Sequence, residues 1–209
     1  MLRPVLRGTD ISAFAANPSR HLLFTHDGDG NALPALPTMT ADYLASRREA
    51  LHRRSDLRAS MAPWSLFRVH RDVMGPKVVW RDLSQVPEAC FIDGEQHAPL
   101  VLNTAYYARV SDRVEGLLLA AWLNSRAAAG LSRALAEHAR GNYRRFFSSV
   151  IGLLPWPYEY ANERDIDCIL ELSQALHSAE QQPELRDALL TELNLRMDHL
   201  LGVRSELFT

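Results

Sequence analysis

The chain has 209 residues, 47% of them hydrophobic, and a formal net charge of −2. That length suits one domain, or one domain with a small appendage, and the apolar content is enough to bury a core, which argues against a disordered chain. No apolar run is long enough to span a bilayer, the opening MLRPVLRGTD lacks a signal peptide's apolar stretch, and Cys90 and Cys168 stand alone without a CxxC, so the expected setting is cytoplasmic and reducing.

Val5 to Gly8 reads as extended, and His21 to Thr25 as a buried strand. Asp27-Gly28-Asp29-Gly30-Asn31 is a turn cluster, and residues 33–38, with Pro34 and Pro37, form an irregular connector. Thr40 is placed to cap a helix reaching about Arg54, with Tyr43, Leu44 and Leu51 on its apolar face. Short extended runs follow at Trp64 to His70, Lys77 to Trp80, Ala89 to Ile92 and Leu100 to Tyr107, spaced as a meandering sheet. The second half is helical. Ser111 is placed to cap a helix to about Asn124, residues 126–139 form the next, and two more span roughly 162–179 and 184–202, with Pro183 opening the last. The pattern predicts an α+β fold: a small, mostly antiparallel sheet in front and a helical half ending in a helix pair. The predicted domains are 1–160 and a helical pair, 161–209, packed on it.

Charge is unevenly spread. Residues 1–81 carry 12 Lys+Arg against 7 Asp+Glu, while residues 161–209 carry 4 against 10. Nearly all the cations are arginine, with Lys77 the single lysine, and arginine suits bidentate contact with phosphate and guanine. Arg47, Arg48, Arg53 and Arg54, with Arg58 beyond and Arg68, Arg71, Lys77 and Arg81 further on, read either as phosphate contacts or as a solvated face paired with Asp42, Glu49 and Asp56. Asn142-Tyr143-Arg144-Arg145 after Gly141 reads either as a projecting turn whose side chains meet DNA or as an Arg-rich corner whose tyrosine plugs the core.

Other chemistry finds little support. Asp27-x-Asp29-x-Asn31 begins like a calcium loop, but Ala32 and Thr38 stand where that loop needs glycine and glutamate, so it reads as a solvated turn. Gly28-x-Gly30 lacks the third glycine of a dinucleotide fingerprint, and no GxxxxGK[ST] occurs. The eight histidines form neither HExxH nor a Cys/His cluster, and there is no GxSxG. No metal site and no catalytic residue is predicted.

The order of landmarks adds a resemblance. Leu2-Arg3-Pro4-Val5-Leu6-Arg7-Gly8-Thr9-Asp10-Ile11, then His21-Leu22-Leu23-Phe24, then Pro37 through Tyr43-Leu44, Leu51 and Arg54 resemble the opening of the C-terminal specificity domain of TaqI-like adenine-specific DNA methyltransferases. Pro63-Trp64-Ser65-Leu66 with Lys77-Val78-Val79, Leu102-Asn103-Thr104, Leu118 to Ser125, and finally Asn142 to Arg145 with Leu154-Pro155-Trp156-Pro157 continue it in order. The likeness runs over about residues 2–160.

That resemblance implies a target-recognition domain forming one wall of a cleft on double-stranded DNA. The other wall, in that family, binds S-adenosylmethionine and flips the adenine. The catalytic Asn/Asp/Ser-Pro-Pro-aromatic tetrapeptide has no counterpart here, since no Pro-Pro occurs. The implied role is therefore recognition without chemistry, as an excised domain or a separate subunit, with S-adenosylmethionine on a partner methyltransferase domain. Phosphate contacts are expected from Arg47, Arg48, Arg53, Arg54 and Lys77, and base contacts from Asn142, Tyr143, Arg144 and Arg145. The rival expectations are a protein-interaction or assembly module using the acidic helix pair, and a hydrolase or transferase whose site the sequence hides.

Overall fold

The computed structural model describes residues 1–66, 69–71, 73–94, 98–159 and 161–202. The first half contains β1 (Leu2–Leu6), a 3-10 turn (Gly8–Asp10), β2 (Ile11–Ser12), β3 (Ala15–Ala16), β4 (Arg20–Leu23), α1 (Thr38–Ala45) and α2 (Arg48–His52). It continues with β5 (Lys77–Arg81), β6 (Leu83–Ser84), β7 (Ala89–Ile92), β8 (Leu100–Val101) and β9 (Ala105–Arg109). The second half contains α3 (Arg113–Leu123), α4 (Arg126–Leu135), β10 (Glu137–His138), β11 (Arg144–Arg145), α5 (Ser148–Ile151), α6 (Glu163–Ser178) and α7 (Pro183–Leu200). The fold is α+β, with small and mostly antiparallel sheets in front and helices behind.

Burial selects β5 as the middle strand. Lys77, Val78, Val79 and Trp80 are all buried, so both its faces are covered, and it pairs antiparallel with β7 on one side and β9 on the other. Val78 and Trp80 face the main core, which Trp122 and Leu123 of α3 and Ile169, Leu176, Leu193 and Met197 of the last two helices complete. Val79 points the other way, onto Leu6, Ile11, Cys90 and Ala105. The alternation of side chains along one strand thus divides helices from the front layer. In that layer β1 pairs antiparallel with β4 and parallel with β8, over a third cluster containing Val5, Phe24, Val73 and Leu100. The terminal helices belong to the main core: α6 lies against α3, and the short 179–182 connection returns α7 along α6.

The Arg7-Gly8-Thr9-Asp10 motif is a clamp. The Arg7 guanidinium reaches both oxygens of Asp10 (3.3 and 3.2 Å), and this pairing, helped by Ser19, holds the carboxyl down to about 2. Gly8 is demanded by space, since a Cβ there would lie 2.5 Å from the Thr104 carbonyl oxygen. The turn cluster at 27–31 is also as read: Asp27 Oδ1 accepts from the amides of Asp29 (3.0 Å) and Asn31 (2.8 Å).

Several elements differ from the sequence reading. The helix to Arg54 breaks in two at Ser46–Arg47. The Ser46 hydroxyl donates to the Tyr43 carbonyl (2.7 Å) and the Arg47 amide closes a tight turn on Leu44, so local bonds replace helical ones. That helix begins at Thr38 with Pro37 at the cap position, not at a Thr40 cap. The His21 to Thr25 strand is shifted to Arg20–Leu23 and is exposed at Arg20 and His21; Phe24 and Thr25 are the buried pair. No strand forms over Trp64–Leu66 or Val69–His70. There the Thr25 hydroxyl donates to the Trp64 carbonyl (2.7 Å) and the Leu66 amide to His26 Nε2 (3.3 Å), side-chain bonds in place of a ladder. The run from Leu100 to Tyr107 is split by a turn at Asn103–Thr104.

In the second half the α3 cap is Asp112, one residue later than Ser111. Its carboxylate accepts from the Glu115 amide (2.9 Å), while Glu115 accepts from the amide and hydroxyl of Ser111. The helix predicted over 126–139 stops at Leu135, and residues 137–138, His138 among them, belong to a strand. The two terminal helices lie within two residues of their expected bounds.

Candidate nucleic-acid interface

The Asn142–Arg145 segment closes the β10–β11 hairpin ribbon, whose root is part of a three-stranded sheet. Strand β11 pairs antiparallel with β10 on one side and with β6 on the other, so its root is held from both flanks. Below it, the buried Phe146 donates its amide to the Asp82 carbonyl (2.7 Å), and its own carbonyl accepts from Trp80 Nε1 (2.8 Å). The apolar residue after the turn thus ties the ribbon to the central strand. At the tip, Gly141 has φ +71°, a left-handed conformation that favours glycine, and nothing lies within 4 Å of where its Cβ would be. The tip projects freely into open space.

The residues of this turn divide into two groups. Arg144 donates to the Ala136 carbonyl (3.3 Å), and Arg145 pairs with Asp82 (3.1 Å) while lying 5.6 Å from the Phe147 ring centroid. Both are engaged in holding the ribbon's root. Arg140, Asn142 and Tyr143 are exposed, and none of their side chains has a hydrogen bond or ion pair among the described residues. The tip therefore offers a guanidinium, an amide and a phenol, with Tyr143 45% exposed rather than plugging the core. Arg140 was missed from sequence; its place one residue before the turn glycine was the available signal.

The front arginines are not equivalent either. Arg53 and Glu49 form a pair whose side chains are 76% and 79% exposed, so water competes fully for both partners. Arg47 stands over the Tyr43 ring at 5.1 Å and is exposed. Arg48 lines a small apolar groove of about 300 Å³ with Leu44, Leu51 and Trp64. Arg54 is structural: it binds Asp56 and donates to the Ser65 carbonyl (2.8 Å), cross-linking the 54–65 loop. Lys77 is buried, 1% exposed, with Nζ donating to the carbonyls of Val73 (2.9 Å) and Gly75 (3.1 Å). Its amine is directed inward and offers no phosphate contact. Arg81 likewise bonds the Ile11 carbonyl and Glu88. Arg68 lies outside the described residues.

A second feature was not anticipated. An open groove of about 1200 Å³ runs beside β9, bounded by His70 and Arg71 on one side, Asn103 at the β8–β9 bend, and Ser148 at the start of α5. It lies next to the ribbon's root: Arg145 covers Phe147, Phe147 meets Tyr106 edge-on (centroids 6.1 Å apart), and Tyr106 is in the groove wall. From sequence Arg71 was read among the basic residues open to phosphate contact and Asn103 within an extended segment, but not their meeting, which depends on two distant loops.

Among the described residues no three His, Cys, Asp or Glu side chains converge so as to hold a metal ion. No described helix is long and apolar enough to cross a membrane. No protein-family model matches the sequence, and no curated protein matches it.

Proposed function

We propose that this chain recognises duplex DNA for an adenine-specific methyltransferase or restriction–modification enzyme, with the β10–β11 ribbon as its reading element. The observation that carries this reading is the ribbon tip: Arg140, Asn142 and Tyr143 project on a rigid root with their polar groups unspent. A two-stranded ribbon fits the major groove of B-DNA, where asparagine pairs bidentately with adenine and arginine with guanine. Arg47 and Arg53, exposed at the two ends of α2, are suited to phosphate contact, which positions without specifying. The sequence resemblance points to the same partner. Methyl transfer itself would belong to a partner domain carrying S-adenosylmethionine.

The test is fluorescence anisotropy of labelled duplexes against the 209-residue chain over a salt series. Each phosphate neutralised steepens the log–log slope by about −0.9. Arg53→Ala and Arg47→Ala should flatten it, while Lys77→Met should not. Duplex binding absent at low salt, or present with no salt dependence, refutes the reading.

A further inference from the structure

The two edges of the central sheet are treated differently. On the β7 side, Asn124 accepts from the Ala89 amide (2.9 Å) and donates to the Ala89 carbonyl (2.8 Å), and His177 Nε2 accepts from the Phe91 amide (3.1 Å). That edge is closed by these side chains and by the Phe14 backbone amide, which donates to the Ala89 carbonyl (2.7 Å). On the β9 side no further strand pairs among the described residues. The Asp82 amide bonds the Thr104 carbonyl and the Val110 amide bonds the Pro76 carbonyl. By the alternation of an antiparallel ladder, Tyr106 and Ala108 therefore face β5, and the backbone of Tyr107 faces outward. Its amide and carbonyl have no backbone partner among the described residues.

The open groove runs along this edge. Successive side chains of a strand point to opposite faces, yet Ala105, Tyr106, Tyr107 and Arg109 all line the groove. It therefore follows the strand's edge. Its described lining holds two arginines, a histidine, an asparagine and a serine, and no carboxylate. His70, Arg71, Asn103 and Ser148 are exposed on the rim. Donors thus converge from three separate segments on a concave surface beside the root of the reading ribbon.

Resting on the DNA-recognition reading above, we infer that the β9-edge groove is a second nucleic-acid contact that seats the phosphate backbone of the duplex whose bases the ribbon reads. Arg71 supplies charge, Asn103 and Ser148 supply neutral donors, and the outward amide of Tyr107 supplies a fixed main-chain donor of the kind that binds phosphate oxygens. A second copy of the chain does not suit this surface, because two identical concave rims carrying arginines would meet like charge to like charge.

The experiment uses the full chain and a fluorescein-labelled duplex of about two helical turns. Arg71→Ala should make the salt slope less negative by about 0.9. Arg71→Ala and Asn103→Ala should each weaken binding, by on the order of tenfold at most, equally across sequences. Arg140→Ala or Asn142→Ala should instead change which sequence is preferred. Hydrogen exchange at the Tyr107 amide, measured on the unaltered chain, should slow when duplex is added, so the inference does not depend on the variants folding. If the chain binds duplex but neither the variants nor Tyr107 exchange respond, the groove assignment is overturned and the DNA reading stands; the β9 edge is then left for a strand of a partner protein. If the unaltered chain binds no duplex at low salt, the DNA reading falls and takes the groove with it.

Discussion

Lys77 provides a quantitative test of the tertiary arrangement. It is the chain's single lysine, it is 1% exposed, and burial lowers its amine from 10.5 to about 8. The folded chain thus disfavours the charged form, and the two carbonyls that accept from Nζ offset only part of the lost hydration. As pH falls, the unfolded chain takes up this proton near 10.5 and the folded chain only near 8. Between those values the unfolded state holds more protons, so stability rises with pH across that window, and the full cost is present below it. The interval corresponds to roughly 3 kcal/mol at about 1.4 kcal/mol per pH unit. Cys90 opposes it from higher pH. Burial pushes its thiol from 9.0 up to about 12, so above pH 9 the unfolded chain loses a proton that the folded chain keeps, and stability falls. Urea unfolding followed by tryptophan fluorescence should show a gain of roughly 0.7 kcal/mol from pH 8 to 9, since the folded amine is only half titrated at pH 8 and Cys90 already opposes near pH 9, and a plateau above it. In Cys90→Ala the rise should continue to about pH 10.5. In Lys77→Met it should vanish. A flat profile from pH 8 to 9, or an equal rise in Lys77→Met, would refute this account of the buried amine.

Three further outcomes follow from particular contacts. Asn124→Ala should destabilise by about 1–3 kcal/mol in chemical denaturation, because it strands the amide of Ala89, a fully buried residue, while the Ala89 and Ala120 carbonyls keep the backbone amides of Phe14 and residue 124. Gly116→Ala should lower the melting temperature despite alanine's better helix propensity, since the added Cβ would lie 2.2 Å from the Phe91 ring; Phe91→Leu in the same chain should recover part of the loss, and no recovery would assign the effect elsewhere. Asn142→Ala should cost about 1–3 kcal/mol at one base pair in competition binding and leave stability unchanged, whereas Arg144→Ala should loosen the ribbon; equal effects of both on target choice would contradict their separation into tip and root.

The order and type of most elements were legible in the sequence because they rest on local causes. Helical periodicity, with Pro183 opening the second, marked α6 and α7 to within two residues, and the extended run Lys77–Trp80 marked a strand whose burial and central place only the structure shows. The turn at Gly141 was legible too, since a projecting left-handed residue favours glycine wherever it occurs. Boundaries failed where short polar side chains compete with the backbone: Ser46 breaks a helix whose apolar spacing runs on, and Thr25 with His26 replaces a strand pairing near Trp64. Charge identity was also legible, but charge availability was not. Arg54 and Lys77 look like Arg53 in the sequence, and only packing turns the first two inward to hold carbonyls while leaving the third in water. The same holds for the β9 groove. Arg71, the stretch from Asn103 to Tyr107, and Ser148 are far apart in sequence, and tertiary structure alone brings them along one sheet edge. Hydrophobic period is set by each segment's own geometry, whereas a binding surface is set by how segments meet.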